Sequence, residues 1–291
     1  MNRDVHTQVE ARSRPMVREI AVPSLASAYE VAIVRDGAQT MRTMVDLRIK
    51  GATIPFNLTS LDQVSRLLAE NVPINWHTVI TPNLHHIYLL RRDPALLEIY
   101  RETEILLPDG WPVASVLSRI AGRRIERVAG SDILERLLES PGRQRPLVLV
   151  GGRGAEELAV IRARAEAREW KVFTEPASFR EVEDVHSRRN LMARIAESGS
   201  GGVVILGLGA PKQERFANEL KAHAGAGFIL CLGMAINFSA GAVQRAPRWV
   251  QKCNIEWIHR ISQEPARLFP RYARDTQALI PLVIDNYRGF A

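Results

Sequence analysis

Apolar and polar positions first fall into a regular pattern at Val45. Val45-Asp46-Leu47-Arg48-Ile49 alternates in the manner of a half-buried strand. Thr59 then serves as a helix start before the amphipathic stretch Leu61 to Leu68. Thr78-Val79-Ile80-Thr81 predicts a short strand, broken by Pro82-Asn83, and Leu84 to Tyr100 predicts one helix. Glu104-Ile105-Leu106-Leu107 predicts a third strand, ended by Pro108-Asp109-Gly110, and Val113 to Ile120 returns as helix.

The second half repeats the rhythm. Pro146 to Val150 is a fully apolar run that predicts a buried strand, followed by Gly151-Gly152-Arg153-Gly154 and a helix from Ala155 to Arg168. Lys171-Val172-Phe173 predicts a strand and Val182 to Glu197 a helix. Val203 to Leu206 is another buried strand, then Gly207-Leu208-Gly209-Ala210-Pro211-Lys212 leads into a helix reaching Ala222, and Phe228 to Leu232 closes the series. Short apolar runs alternating with helices mean βαβ units. The expected fold is α/β and Rossmann-like, with a mainly parallel sheet and helices on both faces. Residues 1–42 lack any period and read as a variable extension, leaving 43–241 as the core. Residues 241–291 carry eight Lys or Arg against four Asp or Glu. With two proline-punctuated helices expected around 248–263 and 266–288, residues 242–291 read as a basic helical appendage.

Composition narrows the function. Hydrophobic residues make up 46% of the 291, enough for a sizeable core and too many for a disordered chain. Aromatics at 6% argue against a carbohydrate-binding sandwich or an aromatic platform for RNA. Two cysteines, Cys231 and Cys253, exclude a disulfide framework and a four-cysteine zinc site, and suit a reducing cytoplasm. The net charge of +7 points to anionic partners: phosphates, nucleotides or an anionic membrane surface. The polar amino terminus has no apolar signal region, and the uncharged stretch around 222–244 is interrupted by glycines. The expectation is a protein that is soluble or lies on a membrane without crossing it.

In open parallel sheets ligands gather beyond the carboxyl ends of the strands. Thr81-Pro82-Asn83, Pro108-Asp109-Gly110, Gly151-Gly152-Arg153-Gly154 and Gly207-Leu208-Gly209 all fall there, and are expected to line one crevice. Gly151, Gly152, Gly207 and Gly209 permit close backbone approach at helix starts that favour phosphate, or are simply tight turns. Neither glycine turn is a dinucleotide fingerprint or a Walker loop. Asp109 is either an N-cap aspartate or a general base; Asn83 is either an N-cap or a ligand contact; Thr81 can simply satisfy a strand end. Lys212 and Gln213 are either solvated first-turn residues or ligand contacts. His85 and His86 are adjacent and lack partners at metal-ligand spacing, and the chain has no Asp-x-Asp pair, so no metal site is expected. Arg248, Lys252, Arg260, Arg267, Arg271 and Arg274, with Trp249, Trp257 and Tyr272, form either a solvated face or a surface for lipid headgroups and diphosphates.

Taken together, Thr81-Pro82-Asn83, Leu107-Pro108-Asp109-Gly110, Glu126-Arg127-Val128-Ala129-Gly130 with Asp132, Leu149-Val150-Gly151-Gly152, Gly207 through Glu214, Arg245-Ala246-Pro247, and Glu256 through Arg260 with Glu264 to Tyr272 resemble the WecG/TagA/CpsF glycosyltransferases (glycosyltransferase family 26), in family order. The resemblance implies inverting transfer of a hexose from a UDP donor to a polyprenyl-diphosphate-linked sugar at the cytoplasmic membrane face, without a cofactor. It implies Asp109 as the base, Thr81, Asn83, Arg127 and Gln213 as site residues, and a membrane-docking arginine-bearing tail; Arg260, Arg267 and Arg271 are the first candidates in that tail for stabilising a diphosphate. His85, where many members are acidic, and Ile236-Asn237-Phe238-Ser239-Ala240-Gly241, where many have Phe-Asp-x-x-x-Gly, are departures near the presumed sugar site. They leave the hexose open between glucose and N-acetylmannosamine types and bring Asn237 into consideration. A homo-oligomer is compatible with all of this. Two other classes remain open on residues alone: a Rossmann-type NAD-dependent oxidoreductase, against which the broken glycine fingerprint counts, and a basic nucleic-acid-binding module, for which no recognition motif is present.

Overall fold

The computed structural model describes residues 44–152, 154–243, 246–247, 250 and 256–287. The expected extension over 1–42, Arg153, Arg245, Arg248, Trp249, Lys252 and Cys253 lie outside the described residues. The centre of the molecule is a six-stranded sheet in the order β4-β3-β8-β7-β5-β6, in which every neighbouring pair is parallel. Its strands are β3 (Trp76–Ile80), β4 (Ile105–Leu106), β5 (Pro146–Gly151), β6 (Lys171–Glu175), β7 (Gly202–Gly207) and β8 (Gly227–Cys231).

Alternation along these strands sorts the core into two layers. Val148, Val150, Val204, Leu206 and Ile229 pack on one face, and Leu147, Leu149, Val203, Ile205 and Leu230 on the other. The first face is covered by α2 (Leu84–Leu90), α3 (Pro94–Arg101), α4 (Trp111–Ile120), α8 (Val185–Gly199) and α9 (Lys212–Leu220). The second is covered by α1 (Leu61–Glu70), α5 (Gly130–Glu139), α6 (Ala155–Glu166) and α10 (Ala235–Ser239). A strand buried on both faces has no polar side, which is why β5 and β7 read as unbroken apolar runs. At the amino ends the strands crowd together: a Cβ on Gly202 would stand 2.0 Å from the Pro146 carbonyl oxygen, so glycine is required there. Beside it the Arg145 guanidinium donates to the carbonyls of Leu68, Ala69, Asn71 and Gly201, closing the carboxyl end of α1.

Several expected elements differ. The alternating segment at 45–49 is β1 (Met44–Ile49), and it does not join the large sheet. It pairs antiparallel with β2 (Ala52–Asn57), a strand the pattern reading lacks because Pro55 interrupts it. Lys50 and Gly51, both at positive φ, make the two-residue turn between them. The cap of α1 is Ser60, in a capping box with Gln63, and not Thr59. The stretch expected as one helix over 84–100 is divided into α2 and α3, because Asp93 caps a new start ahead of Pro94. The helix expected over 182–197 is likewise α7 (Phe179–Glu183) and α8, divided at Asp184, whose side chain caps the second. Helix α5 is wholly additional to the pattern reading, although Ile133, Leu134, Leu137 and Leu138 bury its apolar face.

Beyond the core, the described carboxyl-terminal elements are α11 (Glu256–Gln263), α12 (Pro265–Asp275), a 3₁₀ turn (Thr276–Ala278) and α13 (Leu279–Tyr287). They pack back onto the core. The Asn286 side chain acts as a strand residue toward Arg48: it accepts from the Arg48 N–H at 2.9 Å and donates to the Arg48 carbonyl at 2.9 Å. Asp285 pairs with Arg91 and accepts from the Lys50 N–H. No helix among the described residues is long and apolar enough to cross a membrane.

Candidate active site

Strand β3 ends in Thr81-Pro82-Asn83. Asn83 is the cap of α2: its Oδ1 accepts the His85 N–H at 3.1 Å, while His86 Nδ1 lies 2.9 Å from the same oxygen. The cap reading is therefore correct for Asn83, and the same residue also faces the cavity described below. Strand β4 ends one turn away, tied on by the Asp109 N–H, which donates to the Pro82 carbonyl at 3.0 Å.

Asp109 is not a helix cap. The cap of α4 is Gly110, at φ 73°, a left-handed conformation that favours glycine. Asp109 stands one residue earlier, and its Oδ1 accepts the Gly110 N–H at 2.7 Å. The Val128 N–H donates to the Pro108 carbonyl at 2.8 Å, and this lays Arg127 alongside Asp109 with Nη1 4.0 Å from Oδ1. Burial raises the Asp109 pKa above the usual carboxylate range; the Arg127 charge and the Gly110 N–H pull against it. Arg127 also contacts Glu256 Oε2, at 3.3 Å, across from α11.

These groups line a cavity of about 540 Å³ at the carboxyl ends of β3, β4, β7 and β8. Thr81, Asn83, Asp109 and Arg127 form one side. Gly207 at the end of β7, Gly209 after it, Gln213 at the start of α9, and Gly233 after β8 also line it. Arg260, Arg267 and Arg271 close it from α11 and α12. Burial lowers the pKa of Arg271, and its Nε has no hydrogen-bond partner among the described residues, so an anion entering here would meet a poorly compensated guanidinium.

Other expected contacts lie elsewhere. Gly151 and Gly152 do not line this cavity, and a Cβ on Gly152 would stand 3.1 Å from Ile236 Cγ2, so that turn is tight for packing. Lys212 pairs with Glu183 and lies over the Phe179 ring, and Asn237 is buried behind the cavity lining. Gln213 is not solvated: its Oε1 accepts the Gly233 N–H at 3.0 Å and its Nε2 donates to Glu214 at 2.9 Å. Glu256 and Asp275 are cavity residues that sequence reasoning did not single out. Asp275 Oδ1 meets His85 Nδ1 at 2.8 Å, 190 residues away in the chain, and no spacing rule announces such a pair.

A cavity at strand ends, with a half-shielded carboxylate on one wall and arginines on the other, suits transfer chemistry on an anionic substrate. The model of the glycosyl transferase WecG/TagA/CpsF family matches residues 49–290. The chain belongs to this family. Membership selects glycosyl transfer from the three classes left open by the residues, and with it a sugar donor and an acceptor. The match spans both walls of the cavity, including the carboxyl-terminal helices that carry Glu256 and the three arginines.

Proposed function

We propose that the protein transfers a hexose of the glucose or N-acetylmannosamine type, with inversion, from a UDP-sugar to a polyprenyl-diphosphate-linked sugar during bacterial cell-surface or exopolysaccharide assembly. The observation that carries the reading is Asp109. Its carboxylate is on the cavity wall, desolvated enough to hold a proton more tightly than an exposed aspartate, and its contacts with the Gly110 N–H and Arg127 among the described residues use Oδ1. Oδ2 is thus the oxygen for an incoming hydroxyl.

In the reaction, Asp109 takes the proton of the acceptor hydroxyl as that oxygen bonds to the anomeric carbon. The bond from that carbon to the UDP oxygen breaks, and the electron pair leaves with the diphosphate. Arg127, Arg260, Arg267 and Arg271 supply positive charge where the leaving group gains negative charge. The glycine turns after β7 let backbone N–H groups approach it. Thr81 and Asn83 orient the sugar. Outside the cavity, Ile258 and Phe269 are exposed on the helices that carry the arginines, and Ile280 is exposed on α13, the next helix. Apolar side chains beside basic ones suit the surface of an anionic membrane, where a lipid-linked acceptor would be presented.

The test is a screen of UDP-sugars for UDP release with a polyprenyl-diphosphate-sugar analogue, with and without EDTA. UDP-glucose or UDP-N-acetylmannosamine is expected to turn over, and Asp109→Asn is expected to stop turnover while UDP still binds. Full activity of that variant would remove Asp109 from its role. Turnover only with a nucleotide other than UDP would remove the donor assignment.

A further inference from the structure

Behind the cavity lining lies a buried polar cluster that the transfer step does not consume. Its centre is Glu214, in the first turn of α9 and fully buried. Glu214 Oε1 accepts from Gln213 Nε2 at 2.9 Å and lies 3.6 Å from His86 Nε2. Each neighbour reaches a different turn at the cavity. Gln213 Oε1 accepts the N–H of Gly233, after β8. His86 Nδ1 lies against both the side-chain oxygen and the backbone N–H of Asn83, after β3. Glu214 itself follows the turn after β7. One carboxylate thus joins the ends of the three adjacent strands β3, β8 and β7.

Packing alone does not call for an acid in this place. An ionised carboxylate out of water costs more than an apolar side chain of similar size unless its partners compensate. Tyr100 and Cys231 are buried around it. Burial pushes both of their pKa values up and the Glu214 carboxylate pushes them further. The helix dipole of α9 favours an acid in its first turn, which accounts for the charge but not for the ties to Asn83 and Gly233.

We infer that Glu214 is a positioning residue for the transfer: through His86 it sets the Asn83 amide, and through Gln213 the Gly233 peptide. The Asn83 turn in turn holds Asp109, whose N–H donates to the Pro82 carbonyl. The inference rests on the proposed roles of Asn83 and Asp109. Misplacing reacting groups by about 1 Å costs roughly a hundredfold in rate.

Glu214→Gln keeps the volume and replaces the acid by an amide. It is expected to fold with a near-native melting temperature, and to lower kcat about 10–100-fold while the UDP-sugar KM moves less than about threefold. Combined with Asn83→Ala, its loss should fall well short of the product of the two single losses. A kcat unchanged in Glu214→Gln, or losses that multiply, would overturn the inference. Nitrogen-15 histidine NMR of the full chain reads the same tie without turnover: the His86 ring signals should shift in Glu214→Gln, and unchanged signals would overturn it. Should the wild-type protein turn over no UDP-sugar, the proposed function fails while the NMR result still decides whether Glu214 holds His86.

Discussion

The two walls of the cavity are built differently. The core wall is made of turns between adjacent parallel strands, and its side chains are held by short-range ties: Asn83 as a cap, Asp109 on the Gly110 and Pro82 backbone, Gln213 on Gly233. The carboxyl-terminal wall is made of amphipathic helices with almost no buried face. Helix α11 buries no residue and α12 buries only Leu268 and Asp275. At the cavity it is joined to the core by polar contacts, the Glu256–Arg127 ion pair and the hydrogen bond between Asp275 and His85. In the proposed reaction, the chemistry that needs sub-ångström placement would sit on the first wall and charge that needs only to be near the substrate on the second. The Glu256–Arg127 pair is exchangeable, since a diphosphate competes for the same arginine.

The largest expected effect breaks the core wall. Asp109→Asn should lower transfer about 10²–10⁴-fold. It should not lower the melting temperature at neutral pH. The sign follows from linkage: a carboxylate whose folded pKa is raised binds its proton more tightly in the folded state, so its ionisation destabilises the fold as pH rises. In the wild-type protein kcat/KM should fall with acidification at a higher pH than an ordinary aspartate would give. A variant both inactive and markedly destabilised would assign Asp109 a structural role instead.

The next effect breaks the other wall. Reversing Arg267 and Arg274, both exposed on α12, to Glu should weaken binding to anionic vesicles by roughly 2 kcal/mol or more, at about 1 kcal/mol per arginine near the surface. Vesicle co-sedimentation measures it. Substitution is preferable to truncation, because α13 covers the β1–β2 hairpin through Leu282 and Asn286 and its loss would expose core. Equal sedimentation of wild type and variant would separate these arginines from the membrane.

Arg145→Ala sharpens the comparison by weakening the core without touching either wall. It leaves four carbonyls without their donor and should cost about 2–3 kcal/mol in urea unfolding, with kcat unchanged. The smallest effect is at the seam. His85→Ala leaves the Asp275 carboxylate, 2% exposed, without its imidazole, a loss of about 1–2 kcal/mol expected to appear as faster proteolysis of α11 and α12. Cleavage at the wild-type rate would mean the seam is held elsewhere.

Much of the central sheet was legible because strands buried on both faces cannot hide: Leu147 to Val150 and Val203 to Leu206 have no polar partner positions. Helix breaks were less legible. The starts of α3 and α8 depend on Asp93 and Asp184 bonding their own backbone, a local choice that periodicity averages over. At the site, strand-end logic led to Thr81, Asn83, Asp109, Gly207 and Gly209, which line the cavity, and to Gly151 and Gly152, which do not line it and whose turn is tight against Ile236.

The order of strands and helices, the two-faced core and the polar turns at the strand ends were set by local pattern, since burial on one or both faces writes its period directly into the chain. Which turns would share a cavity, that Arg127 would stand between Asp109 and Glu256, and that His85 would meet Asp275 were decided only on folding. Those pairings join residues far apart in sequence, and the sheet order that brings them together is a property of how whole layers pack.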